Sequence, residues 1–127
     1  MSNLEFRPYK CKTKEVVAER ITTENKKAVY YALLAHVNDD GTYSYNPVNN
    51  ELTKNGREVP DGDYIVKDGV TAYTESDGKF RDSYCPMYVS EEDQRVWHCM
   101  STVTRRRYDT AEEAIAPTKE LLNSNKE

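Results

Sequence analysis

Eleven consecutive residues, Val59-Pro60-Asp61-Gly62-Asp63-Tyr64-Ile65-Val66-Lys67-Asp68-Gly69, compress a turn, a strand and a second turn into one short cassette. Pro60 fixes φ and Gly62 tolerates the positive φ that other residues resist, so Pro-Asp-Gly predicts a tight turn. That turn delivers the chain into Tyr64-Ile65-Val66, an apolar run with the composition of a buried strand, and Asp68-Gly69 predicts its end.

The segments around the cassette alternate between strand and helix signals. Lys14 to Ile21 is rich in β-branched residues and predicts a strand. Thr22-Thr23 offers a helix N-cap, and residues 24–37 predict a helix. Its run Ala28-Val29-Tyr30-Tyr31-Ala32-Leu33-Leu34-Ala35 is apolar nearly all round, which predicts packing on more than one side. Asn38-Asp39-Asp40-Gly41 supplies a stop, Thr42 to Tyr45 alternates as a short strand, and a loop with Asn49-Asn50 and Asn55-Gly56 leads into the cassette. Beyond it, Val70 to Tyr73 and Lys79 to Arg81 flank Ser76-Asp77-Gly78, a favoured hairpin signal. Arg95 to Tyr108 reads as extended, either bending near Met100-Ser101 or containing two strands. Thr110 to Glu113 fits a capping box, followed by helical spacing through Leu122, with a kink or break expected at Ala116 before Pro117.

These elements predict one α+β domain over residues 1–127: a small, mainly antiparallel sheet packed against the helix near 24–37 and a C-terminal helix near 110–123. Residues 71–127 could then form a semi-independent β-β-β-α unit. A chain of 127 residues suffices for one core, and its ten tyrosines against two phenylalanines and one tryptophan predict a thin core edged with hydroxyls. No window resembles a membrane span, and the start lacks a basic-then-apolar signal. Cys11, Cys85 and Cys99 are odd in number and lack CxxC spacing, which points to free thiols and a cytoplasmic setting.

Charge is unevenly spread. Residues 38–93 hold thirteen acidic and five basic side chains, whereas residues 94–108 hold four arginines and no acid. On an extended segment Arg105 and Arg107 share a face with Trp97, and Lys79 and Arg81 of the expected hairpin would lie nearby. Guanidiniums beside an aromatic ring suit phosphates and stacked bases, so these five residues are a candidate nucleic-acid or nucleotide face. The bland alternative is that the arginines form a solvated edge or pair with Asp109, Glu112 and Glu113. Tyr43, Tyr45, Tyr84 and Tyr88 sit in or beside expected strands and are a candidate protein-contact surface, tyrosine being enriched in such surfaces.

No catalytic, cofactor or metal constellation is expected. His98 and Cys99 would point to opposite faces of a strand, and with Cys85 they make only three of the four ligands zinc requires. His36 is read as a favourable charge at a helix C-terminus. Asp39-Asp40-Gly41 and Asp61-Gly62-Asp63 lack the spacing of a calcium loop and read as turns. Glu91-Glu92-Asp93 reads as a helical turn capped by Ser90 or an acidic contact patch.

Two resemblances add to this. Lys12-Thr13-Lys14-Glu15-Val16-Val17-Ala18-Glu19-Arg20-Ile21-Thr22, then Pro60-Asp61-Gly62-Asp63-Tyr64-Ile65-Val66, resemble a family of small uncharacterised proteins encoded by bacteriophages and prophages. Members open with a lysine-rich Val-x-Ala strand and later carry a Pro-Gly-Asp-Trp/Tyr-Ile-Val turn and strand. Tyr84-Cys85-Pro86 is similar to the aromatic, Pro and Cys cluster that often follows. The resemblance covers about 80 residues and implies a non-enzymatic accessory protein that binds a host protein or defence complex in the host cytoplasm, and it leaves self-association open. Separately, Arg107 to Ala114 resembles the aromatic-x-Thr-x-Glu-Ala junction between a three-stranded sheet and a helix in several small domains, some of which bind DNA. That implies the alternative function, nucleic-acid or nucleotide binding.

Overall fold

The computed structural model describes residue 4 and residues 6–11, 14–35 and 41–124. The domain is α+β. Strands β1 (Arg7–Cys11), β2 (Lys14–Arg20), β6 (Tyr64–Asp68), β7 (Thr71–Glu75) and β8 (Cys85–Pro86) form an antiparallel sheet in the order β7-β6-β2-β1-β8. Strands β3 (Tyr43–Asn46), β4 (Glu51–Lys54) and β5 (Arg57–Glu58) form a second, smaller antiparallel sheet. The helices are α1 (Lys26–Ala35), α2 (Asp77–Ser83), α3 (Glu91–Cys99), α4 (Thr102–Arg106) and α5 (Ala111–Ser124).

The cassette forms as expected and organises the core. Gly62 takes φ of 99° in the turn, and β6 follows with Tyr64, Ile65 and Val66 all buried. Strand alternation then sends these residues to two different clusters. Ile65 packs with Ile21, Val29, Leu33, Tyr43 and Leu52, so α1 and the small sheet cover one face. Tyr64 and Val66 pack with Tyr9, Val16, Ala18, Phe80 and Tyr84 on the other. A third cluster joins Cys85 to Val96, Trp97 and Met100 and to Ala111, Ala114 and Ile115 of α5.

One hydroxyl stitches the two sheets together. Tyr43 of β3 accepts the backbone N–H of Thr74 at 2.9 Å, and its oxygen lies 3.0 Å from the Thr74 hydroxyl. Thr74 belongs to edge strand β7, so this contact also satisfies a backbone group that an open edge would leave unpaired. Tyr43→Phe is expected to cost about 1–3 kcal/mol, because the buried N–H loses its acceptor. Urea unfolding would show it as a lower midpoint at unchanged slope.

Several expectations are corrected. Helix α1 buries only Lys26, Val29 and Leu33, so it packs on one side and not on several. Its start is organised by Asn25 and not by the threonines: the Asn25 carboxamide accepts from Thr22 N–H and donates to Glu19 and to the Arg20 carbonyl. The stretch read as a plain loop before the cassette contains β4 and the β4–β5 hairpin, with Asn55 and Gly56 both at positive φ in its turn.

The expected hairpin around Ser76-Asp77-Gly78 is helix α2. An Asp at its first position suits the helix N-terminus, and burial of Phe80 decides the outcome. The expected extended run 95–108 is two helices, each started by a serine. Ser90 Oγ accepts from Asp93 N–H, as the capping reading expects, and Ser101 Oγ accepts from Thr104 N–H. The chain does change direction near Met100-Ser101, but as the junction of α3 and α4 and not as a bend in a strand or a link between two strands. A β-β-β-α unit over 71–127 is therefore not what forms. Strands β7 and β8 sit at opposite edges of one sheet with β6, β2 and β1 between them. Thr110 caps α5 through Glu113 N–H, and α5 continues through Pro117 without the expected break.

Candidate functional site

The wheel of α1 explains which of its apolar residues stay outside. At about 100° per residue, Lys26, Val29 and Leu33 fall within roughly 60° of one another and face the core. Tyr31 and Leu34 fall on the far side and are 55% and 58% exposed. Tyr30 lies between the two faces, half-buried. Its ring stacks on Tyr45 of β3 with centroids 5.9 Å apart and an interplanar angle of 27°, and it meets Tyr31 at 5.8 Å and 53°.

Three rings thus run in series from β3 to the outer face of α1, and Leu34 extends them along the helix. The series is held from below. Tyr45 donates its hydroxyl to Asn50 Oδ1 at 2.6 Å, and Asn50 donates from Nδ2 to the Thr23 carbonyl at 2.8 Å. Asn50 adopts φ of 55°, a conformation asparagine tolerates better than most residues. The turn that carries Asn50 also exposes Val48. Chemically this is an exposed apolar face whose inner rings, Tyr30 and Tyr45, are already ordered before contact.

The basic and aromatic face expected at residues 79–107 is not assembled. Trp97 is 4% exposed and Arg105 8%, both inside helical segments. The Trp97 indole N–H donates to the Tyr84 carbonyl at 3.2 Å. Arg105 lies 5.4 Å from the indole centroid and donates to the Trp97 carbonyl at 2.9 Å, closing the end of α3. The pair is brought together, but as a buried contact. Arg81 is buried too, and its guanidinium is committed to Asp77 and to the carbonyls of Arg105 and Asp109. Arg107 is exposed and does not join them. Lys79 is exposed and lies 3.8 Å from Glu75 one helical turn away. The expected pairing of the arginines with Asp109, Glu112 and Glu113 is replaced by contact of Arg105 with Asp82.

Of the four tyrosines expected as a contact surface, Tyr45 alone contributes to the exposed ring series. Tyr43 and Tyr84 are core residues, the latter stacked on Phe80 at 4.8 Å. Tyr88 is half-buried, 3.2 Å from the Tyr9 hydroxyl and covered by the Arg7 guanidinium at 4.7 Å from its ring. Burial holds the Tyr9 and Tyr88 hydroxyls protonated beyond the ordinary phenol range and pushes Tyr64 up to about 12.

The remaining candidates resolve locally. His98 and Cys99 are neighbouring exposed residues of α3, so the strand geometry used to separate them does not apply. Among the described residues no group of His, Cys, Asp or Glu is placed to hold a metal ion. Asp61-Gly62-Asp63 is a turn, in which Asp61 meets the Lys26 ammonium at 2.6 Å and is held below the usual carboxylate range by it. Burial instead raises Asp63. His36 and Asp39-Asp40 lie outside the described residues. The three cysteines are free thiols, as expected. Among the described residues no helix is long and apolar enough to cross a membrane.

Sequence reasoning missed Tyr30, Tyr31 and Leu34. The signal was present in the wheel, where Lys27, Tyr31 and Leu34 recur at i, i+4 and i+7, but an apolar run on every side hid which arc would be left uncovered. Comparison of the chain with protein-family models, with curated proteins and with solved structures finds no match.

Proposed function

We propose that this chain is a phage-derived, non-catalytic accessory protein that acts by binding and modulating a host macromolecule, and that Tyr31, Leu34, Tyr30 and Tyr45 form its contact face. The observation that carries the reading is the ring series, in which exposed Tyr31 continues a stack anchored through Tyr30 and Tyr45 to Asn50, with exposed Leu34 beside it on the helix. Surface tyrosines held this way supply contact area at low entropic cost, the pattern of interface anchors. The phage origin and the host target rest on the resemblance of residues 12–22 and 60–66 to the phage family. The alternative, a nucleic-acid or nucleotide binder with a basic and aromatic sheet face, has less support because its two central residues are buried.

The test is recovery of a stoichiometric partner from a bacterial host expressing the tagged chain, with and without Tyr31→Ala and Leu34→Ala. Each truncation is expected to weaken the complex at least tenfold if it removes an anchor. Neither should change the unfolding free energy by more than about 0.5 kcal/mol, since both side chains are outside the core. Absence of any partner, or full retention by the double variant, would overturn the proposal.

A further inference from the structure

Strand β8 is only two residues long, so the large sheet ends abruptly where the C-terminal helices meet it. A cavity of about 450 Å³ lies at this corner. Lys10 of β1, Cys85 of β8, Asp82 of α2, Trp97 and His98 of α3 and Arg105 of α4 line it. Two cations and an imidazole therefore share a half-open cavity with one lining carboxylate, Asp82.

The charges in this corner are incompletely matched. Arg105 donates from Nη1 to the Trp97 carbonyl and from Nη2 to Thr102 Oγ1, and its Nη2 lies 3.7 Å from Asp82. Its Nε is buried with no acceptor among the described residues. Asp82 is two-thirds exposed and also accepts from Thr102, so it only partly offsets the guanidinium. Lys10 makes no ion pair with a carboxylate among the described residues. Burial lowers the Arg105 pKa, a sign that its charge is under-compensated, and raises that of Cys85, so the thiol adds no negative charge of its own.

We infer that this cavity binds a compact oxyanion, and that the class it fits is the phosphate group of a small monoester. Lys10 and Arg105 supply the charge, and His98 offers a further donor from the exposed side. Charge-assisted bonds from a guanidinium and an ammonium are the strong contacts for phosphate oxygens. The volume exceeds that of phosphate alone and leaves room for a short ester substituent. This differs from stacking of a base: Arg105 already covers the indole and Tyr84 already accepts its N–H, so Trp97 serves as a wall.

Trp97 is the chain's single tryptophan, so its emission reports on this cavity directly. Titration of the full chain with glycerol 1-phosphate is expected to change that emission saturably, with glycerol as the uncharged comparison giving no change. Lys10→Gln is expected to weaken binding about tenfold, the loss of one charge-assisted contact. His98→Gln, at an exposed position that leaves the core untouched, is expected to weaken it a few-fold. Arg106→Gln, which removes a neighbouring cation outside the lining, should leave it unchanged. An emission change that never saturates, equal affinity in the Lys10 and His98 variants, or an equal response to Arg106→Gln would overturn the assignment. Saturable binding of citrate with none of the phosphate ester would overturn the phosphate class.

Discussion

Phe80→Ala is expected to destabilise the domain by about 3–5 kcal/mol, the range for truncating a fully buried aromatic residue. Phe80 is 1% exposed and lies at the centre of an aromatic cluster. Its ring stacks on Tyr64 at 4.2 Å and on Tyr84 at 4.8 Å, and Tyr9 meets it edge-on at 4.8 Å. Alanine would leave three rings facing a void that none can fill, because each is fixed by its own strand or by the end of α2. Domains of this kind are stable by only about 5–15 kcal/mol, so the loss is a large share of the total. The melting temperature should fall by roughly 10–20 °C. Phe80→Leu, which keeps most of the volume, should cost less than half as much. A drop below 1 kcal/mol for alanine would mean that α2 does not close this face of the sheet.

Arg81 is expected to be the most sensitive charged residue, with Arg81→Ala costing about 2–4 kcal/mol. It is 2% exposed and binds three elements at once: Asp77 Oδ1 of its own helix at 2.5 Å, the Arg105 carbonyl at the end of α4, and the Asp109 carbonyl at 3.5 Å before α5. It also lies over the Tyr64 ring at 5.8 Å. Removing it strands the buried Arg105 carbonyl and unties α2 from the ends of α4 and α5. Arg81→Lys should recover little, because a single ammonium lacks the planar fork that reaches several acceptors. Asp77→Asn should cost less than either, since Asp77 keeps access to water and can be solvated. Urea unfolding of the three variants checks the ranking. Arg81→Lys indistinguishable from the parent would show that charge alone suffices there.

The same residue shows where sequence reasoning reached its limit. Composition marks Arg81 as a ligand-binding cation, because arginine beside aromatic residues suits phosphates, and that chemistry is independent of context. In the fold Arg81 instead satisfies carbonyls at the end of α4 and before α5, which depends on α2, α4 and α5 meeting in space. Local composition carries no record of that meeting. Trp97 and Arg105 do touch, yet by helical proximity and not through the strand alternation that first paired them.

The misread helices have a related cause. Ser76-Asp77-Gly78 serves a hairpin or a helix start equally well, and residues 95–108 hold enough β-branched and aromatic side chains to suit a strand. Propensity differences of this size are small beside the burial of Phe80, Val96 and Trp97 against the sheet. Where turn chemistry is unambiguous, sequence and structure agree: the Pro60-Asp61-Gly62 turn, strand β6, and the Ser90 and Thr110 caps all stand where expected.

By itself the amino-acid order determined the α+β class, the antiparallel core strands at 14–20 and 64–68, and the caps that start α3 and α5, because these follow from φ restrictions and hydrogen bonds spanning three or four residues. Only the tertiary structure decided which arc of α1 stays uncovered, which arginines are buried, and where β8 stops short to leave a cavity. Those outcomes depend on burial among residues far apart in the chain, an energy that no local window contains.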